Sequence, residues 1–265
     1  MIKISIITVV KNGLPYLKSA IQAVKEQKNY EKKEIEHVVV CSPSDDGTED
    51  YLANVKNIKL ILDRESNNKF GSLNIGLQNC SGNIIGILHA DDIFYENDTL
   101  QKILLNFNAH TDVVYGNILF SEKNDLTKIT REWISSPFNK TKLSLGWMPP
   151  HTSIFVKKKV LEDNLYKTIY PISGDYYFIL KLFNNKNIKT KYINEIITIM
   201  RSGGDSTKIE NLFKKLREDA NVIKKFYKFF FITLILKILS KIKQFKLINI
   251  RLKSAYIEKI NKICK

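Results

Sequence analysis

The feature that most constrains the fold is an alternation of short β-rich runs with helical patterns over the first 120 residues. The β-rich runs cover residues 4–10, 35–41, 58–62 and 84–88, and helical patterns lie between them at about 15–27, 48–54 and 71–78. Strands that alternate with helices predict βαβ units, which form a parallel sheet covered by helices on both faces. We therefore predict an α/β fold for this part of the chain.

Polar residues stand where three of these strands end. They occupy 8–12, 42–46 and 89–92, and the last group contains the adjacent carboxylates Asp91 and Asp92. In open α/β sheets ligands bind beyond the carboxyl ends of the strands, so these loops predict one binding site. Because an ionised carboxylate resists burial unless it is paired or bound to a metal, Asp91 and Asp92 favour a site for Mn²⁺ or Mg²⁺. The alternative is a solvated Asp-Asp turn that caps the following helix.

The pattern changes in the second half of the chain. Apolar runs at 113–120, 152–158 and 191–201 alternate with a Trp- and Pro-bearing loop around residue 147 and with a helical pattern at 175–183. This mixture predicts a second, mixed α/β half. A shift in composition near residue 205 marks the end of that half.

The positive charge of the chain is concentrated in its C-terminal tail. The 265 residues carry a net charge of +15 at neutral pH, and residues 207–265, with 16 Lys or Arg and 4 Asp or Glu, supply +12 of it. The basic total therefore does not indicate a nucleic-acid-binding surface over the whole protein.

With 44% hydrophobic residues the chain can bury a full core. Three widely spaced cysteines favour neither a disulfide framework nor a zinc site, as in a reducing cytosol.

The tail combines apolar residues with lysines. Within 222–250 lies the octet FFFITLIL, and lysines occur at 224, 225, 228, 237, 241, 243 and 246. At about 100° per residue, Lys237 and Lys241 lie almost opposite the others, so we expect either two shorter helices with a break near 238–241 or a helix that half-packs on the domain. Basic residues beside an apolar face favour an anionic membrane surface; packing on the domain, contact with a second copy and nucleic-acid binding are the alternatives. No apolar run reaches the roughly 18 to 20 residues of a membrane-spanning helix.

Several segments in a fixed order resemble a known family. They are TVVKN after the first strand, DDGT after the second, NIGL at 74–77, SGNIIGILHADD at 81–92 and PISGDYYFILKL at 171–182. Over roughly residues 3–205 the chain resembles the inverting family 2 glycosyltransferases with the GT-A fold. The resemblance implies a Rossmann-like nucleotide-binding half with a mixed central sheet, and it does not extend into the basic, apolar tail.

The resemblance implies a site for a UDP-sugar donor in the strand-end loops. The residues that would contact the nucleotide sugar are Thr8, Val10, Asn12, Asp45 or Asp46, Asn74, His89, Ala90, Asp91, Asp92, His151 and Arg201. Asp91 matches the carboxylate most directly on the metal, and Asp92 stands beside it. His89 occupies a position where relatives commonly carry Asp or Asn, and it is open whether it ligates the metal, contacts a sugar or only closes the strand.

The same resemblance implies that Asp175 is the catalytic base. In an inverting transfer a carboxylate accepts the proton of the acceptor hydroxyl as that oxygen attacks the anomeric carbon. Asp175 also fits a helix cap, because Asp between a glycine and an apolar helical run is common capping chemistry. His151 would lie near the donor diphosphate or the acceptor, and the glycine-bearing segment 201–206 could close over UDP.

The sequence thus predicts two parts. A GT-A domain over residues 1–205 divides into a nucleotide-sugar-binding half (1–111) and an acceptor-binding half (112–205), and a basic helical tail follows at 206–265. We expect transfer from a UDP-sugar to a lipid-linked saccharide in the synthesis of a surface polysaccharide or lipopolysaccharide. The protein would be peripheral on the cytoplasmic face of the cell membrane, held there through residues 222–250.

Two other functions compete with this expectation. A nucleotidyltransferase also combines paired carboxylates, a metal and a nucleotide, but it is disfavoured because Gly13 is the only glycine in the loop after the first strand. The other alternative is a non-catalytic basic protein that binds a membrane or a nucleic acid.

Overall fold

The computed structural model describes residues 3–29, 34–203, 209–242 and 254–263. Its strands are β1 (Ile4–Val10), β2 (Ile35–Cys41), β3 (Lys59–Leu62), β4 (Ile84–Ile87), β5 (Ile93–Phe94), β6 (Val113–Ser121), β7 (Ile129–Trp133), β8 (Ile154–Lys157) and β9 (Thr190–Arg201). Its helices are α1 (Leu17–Lys25), α2 (Thr48–Ala53), α3 (Lys69–Asn79), α4 (Thr99–Leu105), α5 (Lys140–Ser144), α6 (Lys158–Leu161), α7 (Gly174–Asn184), α8 (Ile209–Lys224), α9 (Phe230–Ile242) and α10 (Ser254–Ile263). A short 3₁₀ turn covers His151–Ser153.

The strands form one mixed sheet in the order β3-β2-β1-β4-β8-β6-β9-β5, with β7 paired to β6. In the first half, β1 pairs in parallel with β2 and β4, and β2 pairs in parallel with β3. Strand β8 joins the two halves because it is antiparallel to both β4 and β6. Since β1, β2 and β4 run in the same direction, their carboxyl ends lie at one edge of the sheet. The loops that follow these strands therefore reach the same side of the molecule.

Strand β1 shows why the apolar runs of the first half are nearly continuous. Ile7 packs in a layer that includes residues of α3 and α7. Ile4 and Ile6 pack in another layer, with residues of α1 and α4. Successive side chains of a strand point to opposite faces of the sheet, so a strand covered on both faces is apolar at most positions.

The α/β fold predicted from the sequence is confirmed, with the mixed sheet that the resemblance implied. Strands β1 and β2 have the predicted bounds. Two strands were not predicted: β5 has only two residues, which is too short for a pattern, and β7 carries the charged residues Arg131 and Glu132. Strand β5 is defined by pairing with the distant β9, and β7 by antiparallel pairing with the preceding β6, rather than by a local apolar pattern.

The tail helices pack on the rest of the protein. Val222 and Ile223 of α8 are fully buried in the layer that contains α7. The predicted break near 238–241 is wrong, because α9 continues through it and the interruption lies between α8 and α9. The alternative, a helix that half-packs on the domain, describes α9, since Lys237 is buried and Ile235 is exposed. Lys237, which stands opposite the other lysines, faces the protein interior, so no break is needed to accommodate it. Lys243 and Lys246 lie outside the described residues.

Helix α10 also contacts the domain. The Tyr256 hydroxyl donates to the Leu126 carbonyl at 2.8 Å, and Lys259 Nζ donates to the Phe94 carbonyl at 2.8 Å. Across the ranges that the structure describes, no helix is both long and apolar enough to cross a membrane.

Candidate active site

A cluster of three potential metal ligands follows β4. His89, Asp91 and Asp92 each offer a ligand atom, and these atoms lie within 4.8 Å of one another. Asp92 is only 1% exposed, whereas Asp91 and His89 are partly exposed. The buried strand thus delivers one carboxylate into the protein and leaves the other at the surface of the site.

Asp92 connects this cluster to β9. Its Oδ1 accepts a hydrogen bond from the Arg201 amide at 3.2 Å, and its Oδ2 lies 3.4 Å from His89 Nδ1. Burial raises the pKa of Asp92 to about 6. Burial alone would lower the pKa of His89, but the contact with Asp92 and the charges of both carboxylates outweigh it and raise that pKa.

This cluster fits a divalent cation. Among the described residues, no well-aligned hydrogen bond reaches Asp92 Oδ2, which is buried. The two carboxylates suit Mn²⁺ or Mg²⁺, and a cation would offset the cost of burying Asp92. The raised pKa of Asp92 describes the cluster without a cation, because a bound cation favours the ionised form.

The loops after β1 and β2 are joined by hydrogen bonds. The Asn12 side chain accepts from the Asp45 amide at 3.0 Å, and the Asn12 amide donates to Ser44 Oγ at 3.0 Å. Asn12 has a φ of 51°, in the left-handed region that asparagine tolerates better than most residues. This exchange holds the two loops together.

The two candidate aspartates after β2 differ in their surroundings. Asp46 accepts from the Leu14 amide at 2.9 Å and from the Thr48 amide at 3.0 Å, so it organises the loops themselves. Both side chains are exposed, but only the Asp46 carboxylate is engaged in these hydrogen bonds. Asp45 is therefore the one with a carboxylate available to a ligand.

Two of the residues proposed for donor contact lie inside the sheet. Thr8 is fully buried, and its Oγ1 lies 2.9 Å from His37 Nε2 on β2. Val10 is 5% exposed. Their side chains belong to the core, and any contact to a ligand at this edge would have to come from the backbone that follows them.

His151 lies near the acidic cluster. Its ring centroid is 6.2 Å from that of His89, and its Nε2 is 2.7 Å from the Tyr166 hydroxyl. Burial lowers the pKa of His151 to about 4, so the ring is neutral at pH 7. A neutral imidazole can accept a hydrogen bond from one side and donate from the other.

Asn74 supports this arrangement from α3. Its side chain accepts from the Tyr166 amide at 2.9 Å and donates to the Tyr166 carbonyl at 3.0 Å. Asn74 therefore fixes the backbone of Tyr166, which in turn contacts His151. Sequence reasoning missed Tyr166, because it belongs to no recognised motif and lies 92 residues from Asn74.

Asp175 lies in the first turn of α7, directly after the cap residue Ser173 and Gly174. Burial alone would raise its pKa, but the positive charges nearby, that of Lys69 foremost, outweigh it and lower the pKa. The amino end of a helix also favours a carboxylate. Asp175 is therefore ionised at neutral pH, as a proton acceptor must be.

The start of α7 meets the start of α3. A Cβ on Gly174 would lie 2.6 Å from the Phe70 ring, so the backbone of α7 passes directly over Phe70. Lys69 precedes Phe70, which brings its charge toward Asp175. His151 is close to the acidic cluster, and the charge of Asp175 is near enough to act on its pKa.

Arg201 is buried at the end of β9. Its guanidinium donates to the Lys123 carbonyl at 2.9 Å and to Ser19 Oγ at 3.2 Å, and it lies 4.9 Å from the Tyr16 ring centroid. The side chain thus joins β9 to α1, and the backbone amide contacts Asp92. Residues 204–206 of the predicted closing loop lie outside the described residues.

The fold and the acidic cluster at the end of β4 define a class of protein, the glycosyltransferases with the GT-A fold. The sequence model of glycosyl transferase family 2 matches residues 5–167, which is more than half of the chain. The protein therefore belongs to glycosyl transferase family 2.

Individual relatives and solved structures match this chain at low sequence identity. A PGL/p-HBAD biosynthesis glycosyltransferase of Mycobacterium bovis is 25% identical over 164 residues, which are 58% of this chain and 61% of that protein. The chain thus spans less than two thirds of this relative. The structure of S. aureus TarS in complex with UDP-GlcNAc matches with a TM-score of 0.65 and 16% identity, over 98% of this chain and 80% of that chain. The structure of the mannosyltransferase PcManGT of Pyrobaculum calidifontis, in complex with GDP-Man and Mn²⁺, matches with a TM-score of 0.58 and 16% identity. The match covers 99% of this chain and 68% of that chain.

Proposed function

We propose that this glycosyltransferase is a metal-dependent inverting enzyme that transfers a hexose from a UDP-sugar to a saccharide acceptor. The observation that carries the proposal is the cluster of His89, Asp91 and Asp92 at the end of β4, with the His151 ring 6.2 Å from that of His89. An inverting transfer needs a place for the charge of the diphosphate and a base for the acceptor hydroxyl. The acidic cluster would supply the first, and Asp175 the second.

The joined loops after β1 and β2 would hold the nucleoside. The exposed carboxylate of Asp45 can accept hydrogen bonds from ribose hydroxyls, while Asn12 and Asp46 keep the loops in place. Complexes of the structural neighbours with UDP-GlcNAc and with GDP-Man support a nucleotide-sugar donor at this edge.

Asp91 and Asp92 would hold Mn²⁺ or Mg²⁺, with His89 as a third ligand or as the partner that orients Asp92. The cation, when bound, offsets negative charge on the departing diphosphate. The neighbour that contains Mn²⁺ together with its nucleotide sugar supports this cofactor class.

Asp175 would act as the base. Its lowered pKa keeps the carboxylate ionised, and its oxygen takes the proton of the acceptor hydroxyl while that hydroxyl oxygen attacks the anomeric carbon. His151, neutral and fixed by Tyr166, would contact the donor between the two charged groups.

A cavity in the acceptor-binding half supports a saccharide acceptor. It measures about 200 Å³ and is lined by Trp133 and Trp147, together with Ile134, Met148, Ser240 and other residues. Flat aromatic rings next to polar groups suit an amphipathic ligand such as a sugar ring. The cavity lies between β7 and α9.

The outer face of α9 supports a lipid-linked acceptor, as in the synthesis of a surface polysaccharide or lipopolysaccharide. Its exposed apolar side chains are Phe231, Ile232, Ile235, Ile238 and Leu239, between 40% and 54% exposed. Lys224 and Lys228 are exposed just before this helix, and Lys224 Nζ lies 4.4 Å from the Phe230 ring centroid at its start. An apolar stripe with lysines at its edge fits an anionic bilayer surface, so we propose peripheral attachment to the inner face of the membrane through this helix.

The base assignment is tested with Asp175→Asn. We expect UDP release from the productive donor to fall by about 10²- to 10⁴-fold, while the Kd of UDP with Mn²⁺ stays within about twofold. Asp163→Asn makes the same substitution at an exposed position in the second half of the chain and serves as a matched control. Full transfer by Asp175→Asn would exclude Asp175 as the base.

The donor and metal are tested with a panel of UDP- and GDP-sugars, each with Mn²⁺, with Mg²⁺ and with a chelator. We expect turnover with a UDP-sugar that requires the cation. Turnover of equal rate in the chelator would contradict the metal, and preference for a GDP-sugar would contradict the donor class.

Membrane attachment is tested by co-sedimentation with vesicles. We expect binding to vesicles rich in anionic phosphatidylglycerol and weak binding to neutral phosphatidylcholine vesicles, with loss of binding in Ile235→Glu. Leu105→Glu on α4, where Leu105 is 78% exposed, is the control for an added charge elsewhere. Equal binding by both variants would rule out α9 as the contact.

A further inference from the structure

Helix α8 of the tail contacts the chain just before the base candidate. Glu218 is 8% exposed, and its Oε2 accepts hydrogen bonds from the Ile172 amide at 3.0 Å and from the Ser173 amide at 2.9 Å. Ser173 is the cap residue of α7, and Asp175 follows two positions later. A carboxylate 45 residues away in sequence therefore fixes the turn that leads into the base.

The local sequence does not fix this turn by itself. The Ser173 side chain makes no capping hydrogen bond, and its Oγ is buried without a partner among the described residues. A helix start is usually held by the side chain of its own cap residue. Here the support comes from Glu218, and a hydrogen bond to a charged acceptor is stronger than one to a neutral hydroxyl.

The other side of the base is also held by the tail. Lys237 of α9 forms an ion pair with Asp219 at 2.7 Å, with both side chains no more than 6% exposed. Lys237 Nζ also lies 3.2 Å from the ring centroid of Tyr176, the residue after Asp175. The chain is thus contacted from the tail both before and after the base.

Helix α9 packs closely against the segment that contains Ser144 and Gly146. A Cβ on Gly146 would lie 2.6 Å from the Lys237 backbone nitrogen, so the two backbones touch directly. The Thr233 hydroxyl donates to the Ser144 carbonyl at 2.7 Å. The inner face of α9 is therefore fixed on the acceptor-binding half.

We propose that α8 and α9 are part of the active site, and that Glu218 is a positioning residue that sets the placement of the Asp175 carboxylate. The inference rests on the proposed role of Asp175 as the base. A carboxylate that must reach an acceptor hydroxyl loses rate steeply when it is displaced, about 10²-fold for 1 Å, so the turn at residues 172–173 is a place where a distant residue can control turnover.

Three substitutions of Glu218 in the full chain separate positioning from charge and from folding. Glu218→Gln keeps an oxygen that can accept both amide hydrogen bonds. Glu218→Asp keeps the charge but withdraws it by one methylene, and Glu218→Ala removes both bonds. The measurements are kcat and donor KM for UDP release from the productive UDP-sugar with water as acceptor, the Kd of UDP with Mn²⁺, and the melting temperature.

We expect Glu218→Gln to keep kcat within about threefold, and Glu218→Asp and Glu218→Ala to lose at least about tenfold in kcat. The donor KM and the UDP Kd should stay within about twofold in all three. Glu210→Ala, at an exposed position on the same helix, should behave as the unchanged protein. If Glu218→Ala does not fold, the kcat of Glu218→Gln is compared with that of Glu218→Asp alone.

Equal kcat in the folded Gln and Asp variants would overturn the inference, and so would a loss of UDP affinity that parallels the loss of kcat. Asp175→Asn measured in the same assay separates the two levels of the argument. If Asp175→Asn is inactive and Glu218→Asp is fully active, the positioning role is wrong and the base assignment stands. If Asp175→Asn is active, the proposed function itself fails.

Discussion

The two sides of the candidate site are supported in different ways. On the side where we propose the cation, called the metal side, Asp91 and Asp92 follow β4 directly, and His89, three residues before Asp92, contacts it. On the side of the proposed base, called the base side, the neighbours of Asp175 are contacted by Glu218 and Lys237, which lie more than 40 residues further along the chain. The metal side is thus mainly a local product of one strand end, whereas the base side is assembled by tertiary contacts with the tail. Substitutions on each side can test this difference.

The largest effect is expected from breaking the buried ion pair on the base side. Lys237→Met leaves the Asp219 carboxylate buried without its cation, which costs about 3–5 kcal/mol in the free energy of unfolding. The double variant Lys237→Met with Asp219→Leu should recover most of that loss. Chemical denaturation measures both, with the exposed Lys228→Met as control. A loss below about 1 kcal/mol would show that α9 contributes little to the fold.

A smaller effect is expected on the metal side. Asp91→Asn removes a carboxylate from the cluster, and we expect the affinity for UDP in the presence of Mn²⁺ to fall about 100-fold, or about 2.8 kcal/mol. The affinity measured by calorimetry in a chelator should not change. Asp50→Asn on the exposed face of α2 controls for the loss of a negative charge. A similar loss with and without Mn²⁺ would place Asp91 on the nucleotide instead of the metal.

The hydrogen bonds between Asn74 of α3 and the Tyr166 backbone lie between the two sides, and we expect their loss to have a smaller effect. Asn74→Ala removes two hydrogen bonds to the Tyr166 backbone, each worth about 1 kcal/mol, so we expect a loss of about 2 kcal/mol in the free energy of unfolding. Asn79→Ala, an exposed position on the same helix, should change stability far less. Unchanged stability in Asn74→Ala would indicate that its amide is free to serve a ligand.

The smallest effect concerns the last tail helix and depends on pH. Burial lowers the pKa of Lys259 from an ordinary value of 10.5 to about 8. Between these values the docked state binds fewer protons than the undocked state, so docking of α10 gains stability as pH rises from about 8 to 10.5 and loses it as pH falls. Lys259→Met should therefore stabilise the protein most at about pH 7, with a shrinking advantage toward about pH 10.

Thermal unfolding of Lys259→Met and of the unchanged protein across this range measures the prediction. The exposed Lys56→Met is the control, and it should show no such trend. A constant difference between Lys259→Met and the unchanged protein would contradict the burial of a charged amine at this position.

The sequence predicted the position of the acidic cluster better than the contacts that support Asp175, for a physical reason. A buried parallel strand has a recognisable apolar run, and the edge at which it ends follows from its direction, so the apolar pattern alone places HADD at the ligand-binding edge. The support of Asp175 gave no such signal. Glu218 and Lys237 lie on helices whose lysines and apolar residues favoured a membrane surface, and only their packing shows that part of the tail faces inward.

Individual donor residues show the same limit. Asp45 and Asp46 are adjacent, identical in type and both exposed, and only the hydrogen bonds of the folded loops show that the Asp46 carboxylate organises the loops. Thr8 was predicted at a strand end, but its hydroxyl is used by His37 inside the sheet. Which face a side chain takes, and which polar group it meets there, is decided by the neighbouring strand.

The sequence by itself determined the α/β fold, the family, and the delivery of two carboxylates to the end of β4, because strand burial and direction are encoded in local apolar patterns. The tertiary structure alone decided that Asp92 is the buried member of that pair, that Asn74 holds Tyr166, and that Glu218 holds the turn before Asp175. The contacts of Asn74 and Glu218 join residues 92 and 45 positions apart, and the Arg201 amide that contacts Asp92 lies 109 positions from it. No local pattern encodes such pairs, because each hydrogen bond depends on where the whole sheet and the tail bring its two partners.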